Sequence, residues 1–112
     1  MIIFAVNDGA VMKAWSDDQG IADDSIITFM ADPYSLVTAA LDMKLEHPGP
    51  KSVGLLDRCK RHALYVVDGK VEIVRVAENP DDPAGDNLPD VTLAEAMISA
   101  ISDWKLGKKD EL

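Results

Sequence analysis

Basic residues, cysteine, aromatic residues and long apolar runs are all scarce in this chain, and each scarcity excludes a class of function. Against 20 Asp and Glu stand 11 Lys and Arg, giving a net charge of −9 over 112 residues. Binding nucleic acid through its phosphates needs a basic stripe, so that class is set aside, and the acidity is read as serving solubility. A single cysteine, Cys59, cannot close an internal disulfide, which fits a reducing compartment or a thiol that reacts with a partner. There is no Cys-x-x-Cys, no His-x-x-x-His and no Gly-rich phosphate loop. His47 and His62 lack ligand companions, so neither a metal nor a cofactor is expected. No apolar run approaches the roughly 20 residues of a membrane span. The start, Met1 to Val6, has no basic flank and is broken at once by Asn7-Asp8, so it reads as a strand and not as a signal peptide. Cytoplasmic is the default expectation.

What the chain does have is an ordinary globular balance, 47% hydrophobic and 28% charged. At this length one domain, or a part of one, can bury roughly two-thirds of its unfolded surface without metals or disulfides.

The most informative stretch is Arg58-Cys59-Lys60-Arg61-His62-Ala63-Leu64-Tyr65-Val66-Val67-Asp68-Gly69. It sets three cations and the only cysteine in front of an apolar run that ends in Asp-Gly. Asp-Gly between valine-rich runs predicts a two-residue hairpin, because a type I′ turn needs positive φ at both central positions. The strands are expected over His62–Val67 and Val71–Val76. Ahead of it, Ile2 to Val6 reads as a strand buried on both faces. Asn7 and Asp8 offer caps for a helix whose Val11, Ala14 and Trp15 share a face and which ends near Gly20. Asp17, Asp18, Asp23 and Asp24 lack the alternating ligands and closing Glu of a calcium loop and read as solvated.

Ser25 to Ala31 reads as a second strand stopped by Asp32-Pro33, and Ser35 as the cap of a short helix carrying Val37, Ala40 and Leu41. His47-Pro48-Gly49-Pro50 reads as a loop. Asn79 to Asp90 is an acidic, exposed connection. Thr92 and Glu95 form a capping box with Val91 as staple, opening a helix whose Leu93, Met97, Ile101 and Trp104 make one apolar face. Such a stripe is core, not a cofactor site. The last four residues, Lys109-Asp110-Glu111-Leu112, match the endoplasmic-reticulum retrieval signal, which acts only on a chain already in the lumen. A charged tail over 107–112 is the plainer reading, with the endoplasmic reticulum open only to a chain with a leader upstream. The order is α/β: strand, helix, strand, short helix, β-hairpin, helix.

Several stretches together resemble the type-5 peroxiredoxins, which include the glutaredoxin-dependent type II enzymes of plants. They are Val6-Asn7-Asp8 with Val11-Met12-Lys13-Ala14-Trp15, Ile27-Thr28-Phe29-Met30-Ala31-Asp32-Pro33, Arg58 to Leu64, Val67-Asp68-Gly69 and the helix from Leu93 to Ile101. They occur in the family's order from roughly Ile2 to Trp104, so residues 1–106 read as a redoxin domain. The resemblance implies a thioredoxin-like fold and thiol peroxidase chemistry serving cell redox homeostasis. Hydroperoxide is the implied substrate, and glutaredoxin or thioredoxin the reductant. By position, Arg61 matches the family arginine that steadies the thiolate and polarises the peroxide. A fixed guanidinium lowers a neighbouring thiol's pKa and offers forked donors to a developing oxyanion.

The chain departs from the family at its nucleophile. That cysteine belongs to an upstream Pro-x-x-x-Thr-x-x-Cys loop, for which these residues have no counterpart. The expectation is a fold lacking the central strand and the nucleophile helix, not competent alone. Cys59 does not match the attacking position, although Arg58, Lys60 and Arg61 would favour its thiolate and strand spacing would put it on one face with Arg61. An inert residue is the plain reading of Cys59, and a redox-modifiable thiol is the wider role open to it. Without the central strand, two strand pairs would face each other with open edges. Direct pairing of those edges is favoured over pairing with a second copy, a separately supplied front fragment, or partial disorder. The competing function is a non-catalytic module that pairs with thioredoxin-fold partners, a peroxiredoxin or a second copy of itself.

Overall fold

The computed structural model describes residues 1–78 and 89–110, with side chains as far as residue 108. Residues 79–88 of the acidic connection, and the Glu111-Leu112 end of the retrieval-like tail, lie outside the described residues. The chain divides into two compact units, Met1–Cys59 and Lys60–Leu112.

The first unit is a β-α-β element followed by two short helices. Strand β1 (Ile2–Ala5) pairs in parallel with β2 (Thr28–Ala31), with Ile3 opposite Phe29 and Ala5 opposite Ala31. Parallel strands need a crossover, and helix α1 (Gly9–Asp18) supplies it. Asp8 caps α1 by accepting from the Val11 N–H at 2.9 Å, as its spacing suggests. Gly20 follows the helix at φ +68, where a Cβ would be strained. The inward row of α1 is not the one expected. Met12 is buried, Val11 and Ala14 face outward, and Trp15 meets Phe29 edge-on at 4.8 Å from the helix margin. Strand β1 is not buried on both faces either. Ile2 is 64% exposed, because a two-stranded sheet with one helix on it has little to cover its other side. Likewise β2 begins at Thr28 and not at Ser25, and Ile26, 84% exposed, precedes it.

Helix α2 (Leu36–Ala40) starts where the sequence suggests, but a different side chain caps it. Ser35 sits in the left-handed region at φ 57 and gives its N-cap no side-chain bond; its hydroxyl donates instead to the Asp57 carbonyl. The cap comes from Asp32, whose two carboxylate oxygens accept from Val37 N–H at 3.1 Å, Thr38 N–H at 2.9 Å and the Thr38 hydroxyl at 2.7 Å. Asp32, Ser35 and Thr38 are all buried, as are the apolar Met12, Met43 and Leu45 of the same unit. The His-Pro-Gly-Pro stretch is not a loop. It opens helix α3 (Pro48–Ser52), with the His47 ring accepting from Gly49 N–H at 2.9 Å. Both prolines fall in the first turn, where a missing N–H costs nothing.

The second unit is the hairpin with the last helix. Strands β3 (His62–Val67) and β4 (Lys70–Val76) pair antiparallel around Asp68 at φ 51 and Gly69 at φ 78, the positive pair that a type I′ turn requires. The register shifts between Tyr65 and Val66. The capping box does not form. Thr92 closes a 3-10 turn (Asp90–Thr92) by donating to the Pro89 carbonyl at 2.8 Å, and α4 (Ala94–Asp110) begins beyond an extended Leu93. On α4, Met97, Ile101 and Trp104 are half-buried, whereas Leu93 is exposed. Tyr65 packs edge-on against Trp104 at 5.4 Å, and Ile73 and Ala77 are the unit's buried apolar residues. The described strands make two sheets of two strands each.

Burial by itself would push the Asp32 carboxyl up, but hydrogen bonds from the Thr38 hydroxyl and the N–H groups of Thr38, Val37 and Leu36 outweigh it and hold the group below the usual carboxylate range. Its pKa being lowered in the folded state, Asp32 contributes stability that is complete above the unfolded carboxyl's pKa and is lost as pH falls through the lowered one. Asp32→Ala should cost about 1–3 kcal/mol at neutral pH. Urea titrations of both proteins should converge in strong acid; a gap that persists there would show that the carboxylate is not the source.

Candidate active site

The residues that the sequence singles out lie on one short run across the boundary of the two units. Within the first unit, Asp57 to Cys59 form a strap tied down at successive residues. The Asp57 carbonyl accepts from Ser35, the Arg58 carbonyl accepts from Leu45 N–H at 2.7 Å, and Cys59 forms an isolated antiparallel bridge with Lys44. The Arg58 side chain reaches across to the end of β1. Its Nη1 donates to the Val6 carbonyl at 2.6 Å and to Asn7 Oδ1 at 3.3 Å, while its Nε is buried with no partner. Asp57 itself is in the left-handed region at φ 54, a conformation that Asp tolerates better than most residues.

Cys59 is half-buried on this strap. The expectation that flanking cations favour its thiolate is not met. Burial pushes the thiol up and the Asp32 charge adds to this, against weaker opposition from the Cys59 and Val6 N–H groups and from Arg58. The sequence shows the adjacent cations but not the buried carboxylate, which comes from 27 positions upstream (59 − 32).

Arg61 belongs to the second unit. Its side chain is exposed, and its carbonyl accepts from Ala77 N–H at 2.9 Å, which fixes the backbone at the base of the hairpin. Strand β3 begins at His62, so neither Cys59 nor Arg61 lies in it, and the shared strand face read from their spacing does not exist. Around Arg61, Lys60 pairs with Glu78 at 3.4 Å and the His62 ring contacts the Lys60 carbonyl at 2.8 Å. Sequence reasoning missed Arg58 and Asp32 as structural keystones. Arg58 was one cation among three, and Asp32 was read only as a strand stop before proline.

A shallow cavity of about 270 Å³ lies elsewhere in the first unit, lined by Gly9, Met12, Lys13, Ser16, Phe29 and Ala31. It includes neither Cys59 nor Arg61, and an open hollow beside an ion-paired lysine offers no nucleophile. Among the described residues no group of three His, Cys, Asp or Glu could hold a metal ion, and no helix is long and apolar enough to cross a membrane.

No family model matches the chain. Over 74 residues, 66% of the chain, it is 32% identical to Peroxiredoxin-2E-2, chloroplastic, of Oryza sativa subsp. japonica. Over 74 residues it is 35% identical to Peroxiredoxin-2E, chloroplastic, of Arabidopsis thaliana. These matches take in 32% and 30% of the two relatives, so the chain spans about a third of the length of the curated relatives it matches. Among solved structures, reduced Prx3 from Vibrio vulnificus in complex with hydrogen peroxide is 27% identical with a TM-score of 0.69, over 90% of this chain and 54% of that one. The chain is thus similar to part of these peroxiredoxins, and its mixed α/β fold is similar to that of the solved neighbour.

The raised thiol makes Cys59 a poor nucleophile at neutral pH. Its alkylation by iodoacetamide should lag behind that of a free cysteine and reach its half-maximal rate at a more alkaline pH. A pH–rate profile like that of an exposed thiol would contradict the burial and the Asp32 effect.

Proposed function

We propose that this chain carries the arginine-bearing part of a type-5 peroxiredoxin and serves hydroperoxide reduction only together with a nucleophilic cysteine from outside these 112 residues. The single observation behind this reading is the similarity to peroxiredoxins over 74 residues, 66% of the chain, combined with the chemistry of the one cysteine present. In peroxiredoxin chemistry a thiolate attacks a peroxide oxygen, the O–O bond breaks, the departing alkoxide takes a proton, and the sulfur becomes a sulfenic acid that a thiol reductant then restores. The attacking sulfur must be anionic and reachable. Cys59 meets these needs poorly, being half-buried and its thiol pushed up by burial. Arg61, held at the hairpin base and exposed at its side chain, is the group we assign to steadying such a thiolate and the developing oxyanion.

The substrate in this reading is a hydroperoxide, and the reductant is glutaredoxin or thioredoxin. A reducing compartment, the cytoplasm by default, suits a chain with a lone thiol. A second reading, a non-catalytic module that pairs with thioredoxin-fold partners or with its own copy, is favoured by the two-stranded sheets, each of which leaves strand edges without a ladder partner among the described residues.

Peroxide consumption with a thiol donor separates the readings. The chain alone should give no turnover, and adding a peroxiredoxin segment with the Pro-x-x-x-Thr-x-x-Cys loop should restore it. In the restored enzyme Arg61→Gln should lower kcat/KM by about 100-fold, the scale of losing one oxyanion donor. Turnover by the chain alone, abolished by Cys59→Ser, would overturn the assignment. Binding to a full-length relative without turnover would favour the module.

A further inference from the structure

Two aspartates in the chain precede a glycine, Asp8 before Gly9 and Asp68 before Gly69. In such a pair the glycine nitrogen, with no side chain beside it, can attack the carboxyl carbon of the aspartate. A C–N bond forms, water leaves, and the succinimide ring that results takes water back at either of its carbonyls. Opening on one side restores aspartate. Opening on the other gives isoaspartate, which carries one more carbon in the backbone, so the net change is an isomerisation with no co-reactant. The structure holds the two pairs differently. Asp8 is extended, at φ −77 and ψ 170, and its Oδ1 accepts from the Val11 N–H at 2.9 Å as the cap of α1. Turning its carboxyl carbon onto the Gly9 nitrogen breaks that cap, and the first turn of the helix frays with it.

Asp68 has no such tie. It is exposed at the tip of the hairpin, and among the described residues no hydrogen bond or ion pair holds its carboxylate. Its backbone stands at φ 51, a conformation that costs an L residue energy, so leaving it breaks no side-chain bond and relieves strain. Gly69 follows at φ 78 with open space where a Cβ would stand. In a type I′ turn the N–H of the second central residue lies outside the pair that closes the hairpin, here Val67 with Lys70. The attacking nitrogen is therefore neither screened nor tied. We infer that Asp68-Gly69 is the isomerisation site of the folded chain, a place where it ages to isoaspartate, and that helix capping spares Asp8-Gly9. The inserted carbon lengthens a turn whose two residues set the register of β3 on β4, so the product hairpin does not close in the same way.

The test uses the full chain and no peroxide, so its failure leaves the peroxidase reading untouched. The chain is incubated for weeks at mildly acidic pH, where a partly protonated carboxyl loses water more readily. It is then digested with a protease that cuts before aspartate but not before isoaspartate, and peptide masses report each site. Loss of cleavage at Asp68 should run at least about fivefold ahead of loss at Asp8, the equilibrium factor that corresponds to one helix cap. In concentrated urea, where neither the cap nor the turn persists, the two sites should convert at similar rates. Equal or faster conversion at Asp8 in the folded chain would overturn the assignment. So would a folded chain that converts at neither site while the unfolded one converts at both. The same bias in urea would trace the difference to neighbours in sequence and overturn it as well.

Discussion

A buried carboxylate sets the arrangement of the first unit. Asp32 terminates β2, and its oxygens take up the orphan N–H groups of Val37 and Thr38 together with the fully buried Thr38 hydroxyl. A helix as short as α2 has no stability of its own, so its first turn exists because this side chain completes it. The Asp32 carbonyl also accepts from Ser35 N–H at 3.1 Å, closing the turn in which Ser35 takes its left-handed conformation. From there the Ser35 hydroxyl reaches the Asp57 carbonyl, and the strap with Arg58 and Cys59 follows. The Cys59 thiol on this strap is pushed up chiefly by burial, with the Asp32 charge adding to it.

The apolar surface follows from the number of strands. A two-stranded parallel sheet cannot bury both of its faces. In the first unit α1 covers the Phe29 side of the β1–β2 pair, and Ile2 and Met30, 64% and 50% exposed, are on the side it leaves uncovered. In the second unit α4 packs Trp104 on Tyr65, and Val66 and Val74 stay largely exposed.

Local chemistry was legible in the sequence wherever a signal is short-range. Asp-Gly specified its turn, Asp8 its helix cap, and the final apolar row its half-buried face. Each depends on residues within one turn of one another. What was not legible depends on distant partners. The Ser35 hydroxyl was expected at its own helix and went to Asp57, because Asp32 had already taken the cap. Thr92 closed a turn before the helix and made no capping box. The prolines after His47 suggested a loop, whereas the first turn of a helix accommodates both. At the site, three adjacent cations suggested a reactive thiol. What reverses this is chiefly the burial of the thiol, helped by a carboxylate 27 positions away, and no spacing pattern shows either.

Whether Asp32 joins α2 and the strap into one cooperative element can be measured amide by amide. In Asp32→Ala, hydrogen exchange resolved at single residues should show Val37, Thr38 and Leu45, the last of which donates to the Arg58 carbonyl, losing protection together while the β3–β4 amides are unchanged. If Val37 and Thr38 alone lose protection and Leu45 keeps its own, the carboxylate is only a local helix cap and does not hold the strap in place.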